Sequence, residues 1–482
     1  MKLNLDKIGS VHDLIHDIHW EGKEIARETN KRANVLRRYC GAGENLFVIA
    51  HANSPSFFAD LFAVWEAGGC AVCVNAGLTS SELDNVTRFV DARAVLVDGR
   101  DAETAAAPVI CLADEPETRK MTPAKSGAID DPALILFTSG TTGDPKGVLH
   151  SHRSIQARLA LNQAYIGHDT LARSLCVLPT HFGHGLIGNC LTPLYSGGDL
   201  FLMYGAGISG TAMLGEVIDK NEIRFMSSVP AFWKVALRIA NPPKGNTFRR
   251  VHIGSAPLSA ELWQGVVSWT GTRKVANMYG ITETANWIGG ALADRLEPED
   301  GLLGSMWGGS CAVLGEDGEI RTEGAGEILL QIPSLMTGYF RRPDLTEKVI
   351  RDGWYHTGDT GFIDAQRMLH MTGRNRYAIN NGGIKVYPEE VDLLLERHPE
   401  VLEACAFGVQ DAMSGEKVAV AVRLQENATV NELQLLKWIR EHIRQDAVPS
   451  RIFIVSEIPK TDRGKLNREK VSRYCLAEDE TQ

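Results

Sequence analysis

The sequence predicts an α/β protein with a large N-terminal domain and a small α+β domain at its C-terminus, and three observations carry that reading. Up to about residue 300, helical patterns alternate with short apolar, β-branched runs, the rhythm of βα units around a largely parallel sheet. Beyond that point the texture changes to short strands and turns, and past Gly373 it changes again to a compact mixture of helix and strand. The length of 482 residues leaves room for about three domain-sized units.

Taken in order, "IARETNKRANVLRRY" and "SPSFFADLFAVWEAG" space their apolar residues for helices, and "LFVIA", "CAVCVNA", "AVLVD", "PVICL" and "ALILF" read as the strands of a first α/β subdomain. The rhythm resumes in a second subdomain with "SLCVLP", "DLFLM", "RFMSSVP", "RRVHIGSAPL" and "KVANMYGITET". Each strand-like run ends in Gly, Ser, Pro or Thr, where open α/β sheets place ligand sites. "GEIRTEGAGEILLQIP" and "WYHTGDTGFIDAQRMLHMTG" read as a small antiparallel, β-barrel-like region. In "YPEEVDLLLERHPEV", Pro388 stands near a helix start, acids fill the first turn, and Val391, Leu394 and Leu395 keep helical spacing. Strand-like "EACAFGV" and "KVAVAVRL", a helix over "VNELQLLKWIREHI" and strand-like "RIFIV" complete the small unit. The expected division is an N-terminal domain over 1–373, a hinge at 374–376 and a C-terminal domain over 377–482.

Composition narrows the functional classes. With 44% hydrophobic and 23% charged residues the chain can bury a core, and a net charge of −10 argues against a whole-protein field that attracts nucleic acid or anionic lipid. No run approaches the ~18 apolar residues of a membrane helix, and the N-terminus lacks the pattern of a secretory signal. Nine scattered cysteines suit free thiols in a reducing cytoplasm better than a disulfide framework. Cys70 and Cys73 form a lone CxxC in an apolar run and read as core thiols rather than metal ligands. His181 and His184 lack a local carboxylate or thiol to complete a metal site.

The most informative stretch is "LFTSGTTGDPKGVLHSH", Leu136–His152, where small hydroxyl and glycine residues follow an apolar strand and surround one lysine. Small residues let backbone amides converge on anionic oxygens, and a lysine neutralises charge, so the stretch reads as a phosphate cradle. The Walker pattern is excluded, because Pro145 precedes Lys146 and Gly147 follows it. Taken alone, the composition also fits a plain surface turn.

Together with its companions this stretch resembles the phosphate-loop signature of the adenylate-forming superfamily, which includes acyl- and aryl-CoA ligases, peptide-synthetase adenylation domains and firefly-type luciferases. The resemblance continues in order through "WEAGGCAVCVNA", "GSAPL", "NMYGITE", "GEILLQIPSLMTGYFRRPDLT", "YHTGDTG", "GRNRYAINNGGIKVYPEEVD" and "PKTDRGKLNR". It implies ATP-dependent formation of an acyl-adenylate with pyrophosphate release, and a mobile C-terminal domain that swings between the two half-reactions.

Carried over by position, the resemblance implies that Thr138, Ser139, Gly140, Thr141, Thr142, Gly143 and Lys146 hold the β- and γ-phosphates. Tyr279, within Asn277-Met278-Tyr279-Gly280, would stack on adenine, Thr282 would contact the α-phosphate, and Glu283 would hold Mg²⁺ as a hard oxygen ligand. Gly254, Ser255, Ala256 and Pro257 would line the other adenine face. Asp359 would accept both ribose hydroxyls, with Arg374 adding a cation nearby. Lys465, flanked by Pro459, Lys460, Thr461 and Gly464, would bridge carboxylate and phosphate oxygens when the small domain closes. The hinge position departs from the family pattern: Arg376 stands where Asp or Lys is usual.

The stretch "LPTHFGHGLIGNCLTPLYSGG" stands where the family builds its acyl pocket, and it carries no aspartate for an α-amino group. His181, Phe182, His184 and Gly185, with Trp233, Asn286 and Trp287 as further walls, point to an aromatic or compact hydrophobic carboxylate. The acceptor stays open between the thiol of CoA, the pantetheine of an acyl carrier protein and an amine. A reading of a different class, a nucleotide-binding interaction protein without turnover, is opposed by Lys465, Glu283 and Asp359 standing together in one chain.

Overall fold

The computed structural model describes residues 5–99, 104–116, 128–138, 146–374, 377–381, 384–411, 414–461 and 465–479. The expected phosphate-binding residues Ser139–Gly143, the expected hinge residues Asn375 and Arg376, and Gly382, Gly383 and Gly464 lie outside these.

The buried apolar runs of the first subdomain pair as a seven-stranded sheet. Its order is Gly338–Tyr339, Lys146–Ser151, Pro132–Thr138, Cys70–Cys73, Leu46–Ile49, Ala94–Leu96, Val109–Ile110, parallel from Pro132–Thr138 onward. Lys146–Ser151 runs back antiparallel along Pro132–Thr138, with Thr138 opposite Lys146, so a ladder unbroken from Leu134 to Thr138 fixes both stems of the phosphate-loop motif. Helix Pro55–Glu66 starts on a Ser54 cap with proline in its first turn and lies almost wholly in the core, where Trp65 Nε1 donates to Ala133 O at 2.7 Å.

A second sheet has fifteen strands among the described residues. Arg173–Cys176, Asp199–Leu202, Phe225–Ser228, Arg250–Gly254 and Val275–Gly280 form its parallel part. The N-terminal strand Val11–Asp13 crosses over to join it beside Asp199–Leu202. The antiparallel region is continuous with this sheet: Leu302–Met306 pairs with Trp287–Leu292 on one side and Leu369–Arg374 on the other. Gly304 makes the bridge possible, with φ at +70° and a backbone so close to Gly290 that a Cβ would fall 2.4 Å from its carbonyl oxygen.

The C-terminal unit is a five-stranded sheet in the order Ile384–Val386, Ile379–Asn381, Gly415–Leu424, Val401–Asp411, with Arg451–Ile454 pairing parallel to Gly415–Leu424. Strand Val401–Asp411 buries both faces. Ala404 and Ala406 pack with helices Pro388–Leu395 and Glu432–His442, while Cys405 and Phe407 pack with Val471 and Cys475 of helix Arg468–Asp479. No helix among the described residues is long and apolar enough to cross a membrane. None of the nine cysteines is disulfide-bonded, and burial raises the thiols of Cys70 and Cys73.

Candidate active site

A cavity of about 1210 Å³ opens where the second sheet's strand ends, the antiparallel region and the C-terminal unit meet. One wall is the short turn Thr282–Thr284 that follows strand Val275–Gly280. Donors from other elements hold its three successive carbonyls. His150 Nε2 reaches Thr282 O at 2.8 Å, Met336 N–H reaches Glu283 O at 2.7 Å and Ser334 Oγ reaches Thr284 O at 3.0 Å. Burial lowers His150 to about 4, so it donates as a neutral imidazole. Behind Ser334 stands Arg158, fully buried, with Nε and Nη2 at 3.1 and 2.6 Å from the serine oxygen. The turn is thereby rigid, and so is what it presents: Glu283 Oε1 accepts from Tyr339 O–H at 2.8 Å, and Lys146 Nζ sits 5.7 Å from the Tyr339 ring centre.

Asn277, Met278, Tyr279 and Gly280 line the cavity above this turn, with Ser255, Ala256 and Pro257. Gly254 does not line it; a Cβ there would come within 2.9 Å of Met278 O, so the glycine serves close strand packing. Tyr279 O–H donates to Asp359 Oδ2 at 2.7 Å, and Arg374 Nε lies 2.7 Å from Asp359 Oδ1. Asp359 is fully buried behind these two side chains, which line the cavity while it does not. The Asp359 carboxylate raises Arg374 above the ordinary guanidinium value, whereas burial first and Asp359 second raise Tyr279.

The other end is built of neutral groups. The acyl-pocket stretch folds as a π-helix over His184–Leu191, a form that concentrates at functional sites. His184 spends both ring nitrogens on serines, Nδ1 on Ser255 Oγ at 2.9 Å and Nε2 on Ser227 Oγ at 2.5 Å. Burial, with Lys465 second, lowers it to about 3, so the imidazole is neutral. Ser255 adopts φ of 71°, and Ala285 beyond the turn adopts 66°. These two non-glycine residues in the left-handed region both face the cavity, where such strain tends to concentrate. Phe182 and Trp287 flank His184 with ring centres 5.8 and 5.2 Å away, and Asn286 Nδ2 donates to Gly183 O.

Three expected pocket residues are placed elsewhere. Trp233 is fully buried in the core against Phe232 and Trp269. On helix Pro230–Ile239 positions 230, 231 and 234 line the cavity, and 233 lies at the flank of that face, turned into the core. His181 is buried without lining the cavity. Gly185 is pressed onto Pro179, whose carbonyl oxygen a Cβ would meet at 2.2 Å.

Lys465 enters from the C-terminal unit. Its Nζ lies 5.8 Å from the Phe182 ring centre, and its backbone is fixed through Thr461. Among the described residues no group of three or more His, Cys, Asp or Glu forms a metal cage.

Comparison with known proteins gives this arrangement a family. Residues 11–340 match the AMP-binding enzyme family and residues 390–465 match the AMP-binding enzyme C-terminal domain. The chain belongs to the AMP-binding enzyme family. Among curated relatives, a sulfoacetate–CoA ligase of Cupriavidus necator is 30% identical, covering 92% of this chain and 82% of its own. An oxalate–CoA ligase of Arabidopsis thaliana is 28% identical over 90% and 88%. Among solved structures, the amide bond synthetase McbA of Marinactinospora thermotolerans superposes with a TM-score of 0.86 at 25% identity, covering 98% of both chains.

Within this AMP-binding enzyme several residues that line the cavity or support its walls escape the sequence reading. Tyr339 stands inside the motif "GEILLQIPSLMTGYFRRPDLT" without an assigned role, and Ser227 is the first of the two serines in the strand-like run "RFMSSVP". Pro230, Ala231 and Lys234 were within reach of helical phasing over "PAFWKVALRI". His150 and Arg158 carried no local signal, since their partners are distant in sequence.

Proposed function

We propose that the chain uses ATP to activate an aromatic or compact hydrophobic carboxylic acid and passes the acyl group to the thiol of CoA. The observation that carries this reading is Lys465, brought from the C-terminal unit into a cavity that also holds Glu283, Tyr279 and Arg374, on the side where His184 and Phe182 stand. In the first step a carboxylate oxygen bonds to the α-phosphorus while the bond from that phosphorus to pyrophosphate breaks. In the second the thiol sulfur bonds to the acyl carbon, AMP leaves and the thiol proton passes to solvent.

Charge moves through both ends of the first step, and positioned cations lower its barrier. Lys465 steadies the attacking carboxylate and the α-phosphate oxygens, Thr282 contacts that phosphate, and Lys146 and Thr138 flank the loop that receives the β- and γ-phosphates. Tyr279 packs on adenine with its hydroxyl fixed by Asp359, which also aims Arg374 at the ribose. Glu283 fits magnesium: a single hard carboxylate, steadied by Tyr339, suits a cation that keeps waters and shares phosphate oxygens. Bound there, the ion would neutralise phosphate charge.

The acid's tail meets Phe182, His184, Asn286 and Trp287, and a neutral His184 offers no charge to a second carboxylate. The cysteine thiols fit a reducing cytoplasm. Pyrophosphate exchange with MgATP over a panel of aryl, short-chain, dicarboxylic and amino acids tests this, with the aryl and compact monoacids expected to lead. A flat response sinks the ligase reading. An amine acceptor is the second reading, favoured by the likeness to an amide bond synthetase, and acceptor screening separates it from CoA and carrier pantetheine.

A further inference from the structure

We propose that Lys234–Glu396 and Asp300–Arg397 form a two-armed electrostatic latch that positions Lys465 in the cavity. Glu396 and Arg397 follow directly on helix Pro388–Leu395 and carry opposite charges. Each reaches a different part of the large unit. Glu396 Oε1 lies 2.7 Å from Lys234 Nζ on helix Pro230–Ile239, and Arg397 Nη2 pairs with Asp300 in the segment before Leu302–Met306. Asp300 is itself fixed, because its Oδ1 accepts from Ala260 N–H at 2.7 Å at the start of helix Ala260–Thr270. Glu396 and Asp300 are only 17% and 18% exposed, so solvent screens the two pairs incompletely.

The arms are wired to the lysine. From the same helix, Asp392 and Glu389 hold Arg468 at 2.6 and 3.2 Å, and Arg468 also donates to Ala406 O at 2.8 Å. Arg468 is buried and stands three residues after Lys465. The helix that grips the large unit therefore also grips the segment carrying Lys465, and opening the latch withdraws the ammonium from Phe182. Glu396, Arg397, Lys234 and Asp300 act through Lys465 and are positioning residues.

This inference rests on the ligase reading for its kinetic arm alone. Labels placed at exposed Ile208 and Leu433, 75% and 78% accessible, report the distance between the units without turnover. Glu396→Gln with Arg397→Gln is expected to lengthen and broaden that distance. The same double variant lowers pyrophosphate exchange by roughly tenfold, the factor two partly buried ion pairs supply together. Acyl transfer from preformed acyl-adenylate is expected to hold or rise. Lys234→Glu with Glu396→Lys, which reverses one arm, is expected to restore both readouts where either single charge change does not. An unchanged distance in the double glutamine variant, or no rescue by the reversal, overturns the latch. Absence of exchange in the unmodified chain with every acid overturns the ligase reading instead, and the distance measurement still judges the latch.

Discussion

The two ends of the cavity are built on opposite physical terms. At the end proposed for the nucleotide, charges and two phenols are locked together: Asp359 with Arg374 and Tyr279, Glu283 with Tyr339, and Lys146 over the Tyr339 ring. At the end proposed for the acyl group the groups are uncharged: His184 between Ser227 and Ser255, flanked by Phe182 and Trp287. The difference follows from what each end has to recognise. A triphosphate presents the same charges in every adenylating enzyme, so its site is written in fixed cations and carboxylates. An acyl tail is recognised by shape and by what is desolvated, so its site is written in packing.

Lys465 is a charge placed where the two ends meet, and its removal is the most severe way to break the contrast. Lys465→Ala is expected to lower pyrophosphate exchange about 10²–10³-fold, the size of loss seen when one preorganised charge-stabilising donor goes. ATP binding, measured by calorimetry, should persist. Unchanged exchange would refute its role. Next in size, Asp359→Asn keeps the shape but frees Tyr279 and Arg374, so the KM for ATP should rise about tenfold, as for a lost charge-assisted hydrogen bond, while the KM for the acid stays put. A parallel rise in both would mean that the ends are not separable.

The same contrast explains what was legible in the sequence. Phosphate recognition uses small residues and charges at fixed spacing, so Lys146, Thr282, Glu283 and Arg374 stand out in the sequence as candidates, and the structure gathers them around one cavity. The acyl end was readable as a segment but not residue by residue. Trp233 has the aromatic bulk of a pocket wall, yet it stands at the flank of the cavity-facing side of Pro230–Ile239, and tertiary packing against Trp269 decides that it joins the core. The contacts by which Ser227 and His150 support the site, to His252 O and Thr282 O, reach 25 or more residues along the chain, and pairings of that kind leave no local pattern. In the fold, the short runs and the C-terminal helices were plain from periodicity. The join between the parallel sheet and the antiparallel region was not, because it depends on backbone contact at Gly304 between strands distant in the chain.

Histidines sharpen the comparison from another side, since one neutral imidazole backs each end. Burial holds His150 to about 4 and His184 to about 3, both below the free value of 6.5. The native state therefore binds fewer protons than the unfolded chain across that interval. Their contribution to stability is full above about pH 6.5 and is lost as pH falls toward 4 and 3, at about 1.4 kcal/mol per pH unit for each. Urea unfolding at pH 7 and pH 5 should show a lower midpoint at pH 5, and equal midpoints would contradict neutral burial. A variant with His150→Asn should flatten part of that dependence and, by loosening Thr282, depress exchange even at pH 7.

The smallest expected effect tests whether the acyl end is tuned by hydrogen bonding as well as by shape. Ser227 Oγ sits 2.5 Å from His184 Nε2 and 3.2 Å from His252 O, so Ser227→Ala removes one of the two hydroxyls that fix the His184 ring and leaves a ring nitrogen unpartnered. A lost neutral hydrogen bond of this kind is worth about 1 kcal/mol, or roughly fivefold. Because Ser255 still holds Nδ1, the ring should swing within its pocket rather than leave it. The consequence is a rise of that size in the KM for the preferred acid and a narrower gap between it and its poorer analogues, with the KM for ATP unchanged. If the ATP constant moves instead, the serine supports the nucleotide end through Ser255, and the division of the cavity into a charged and a neutral half fails at that residue.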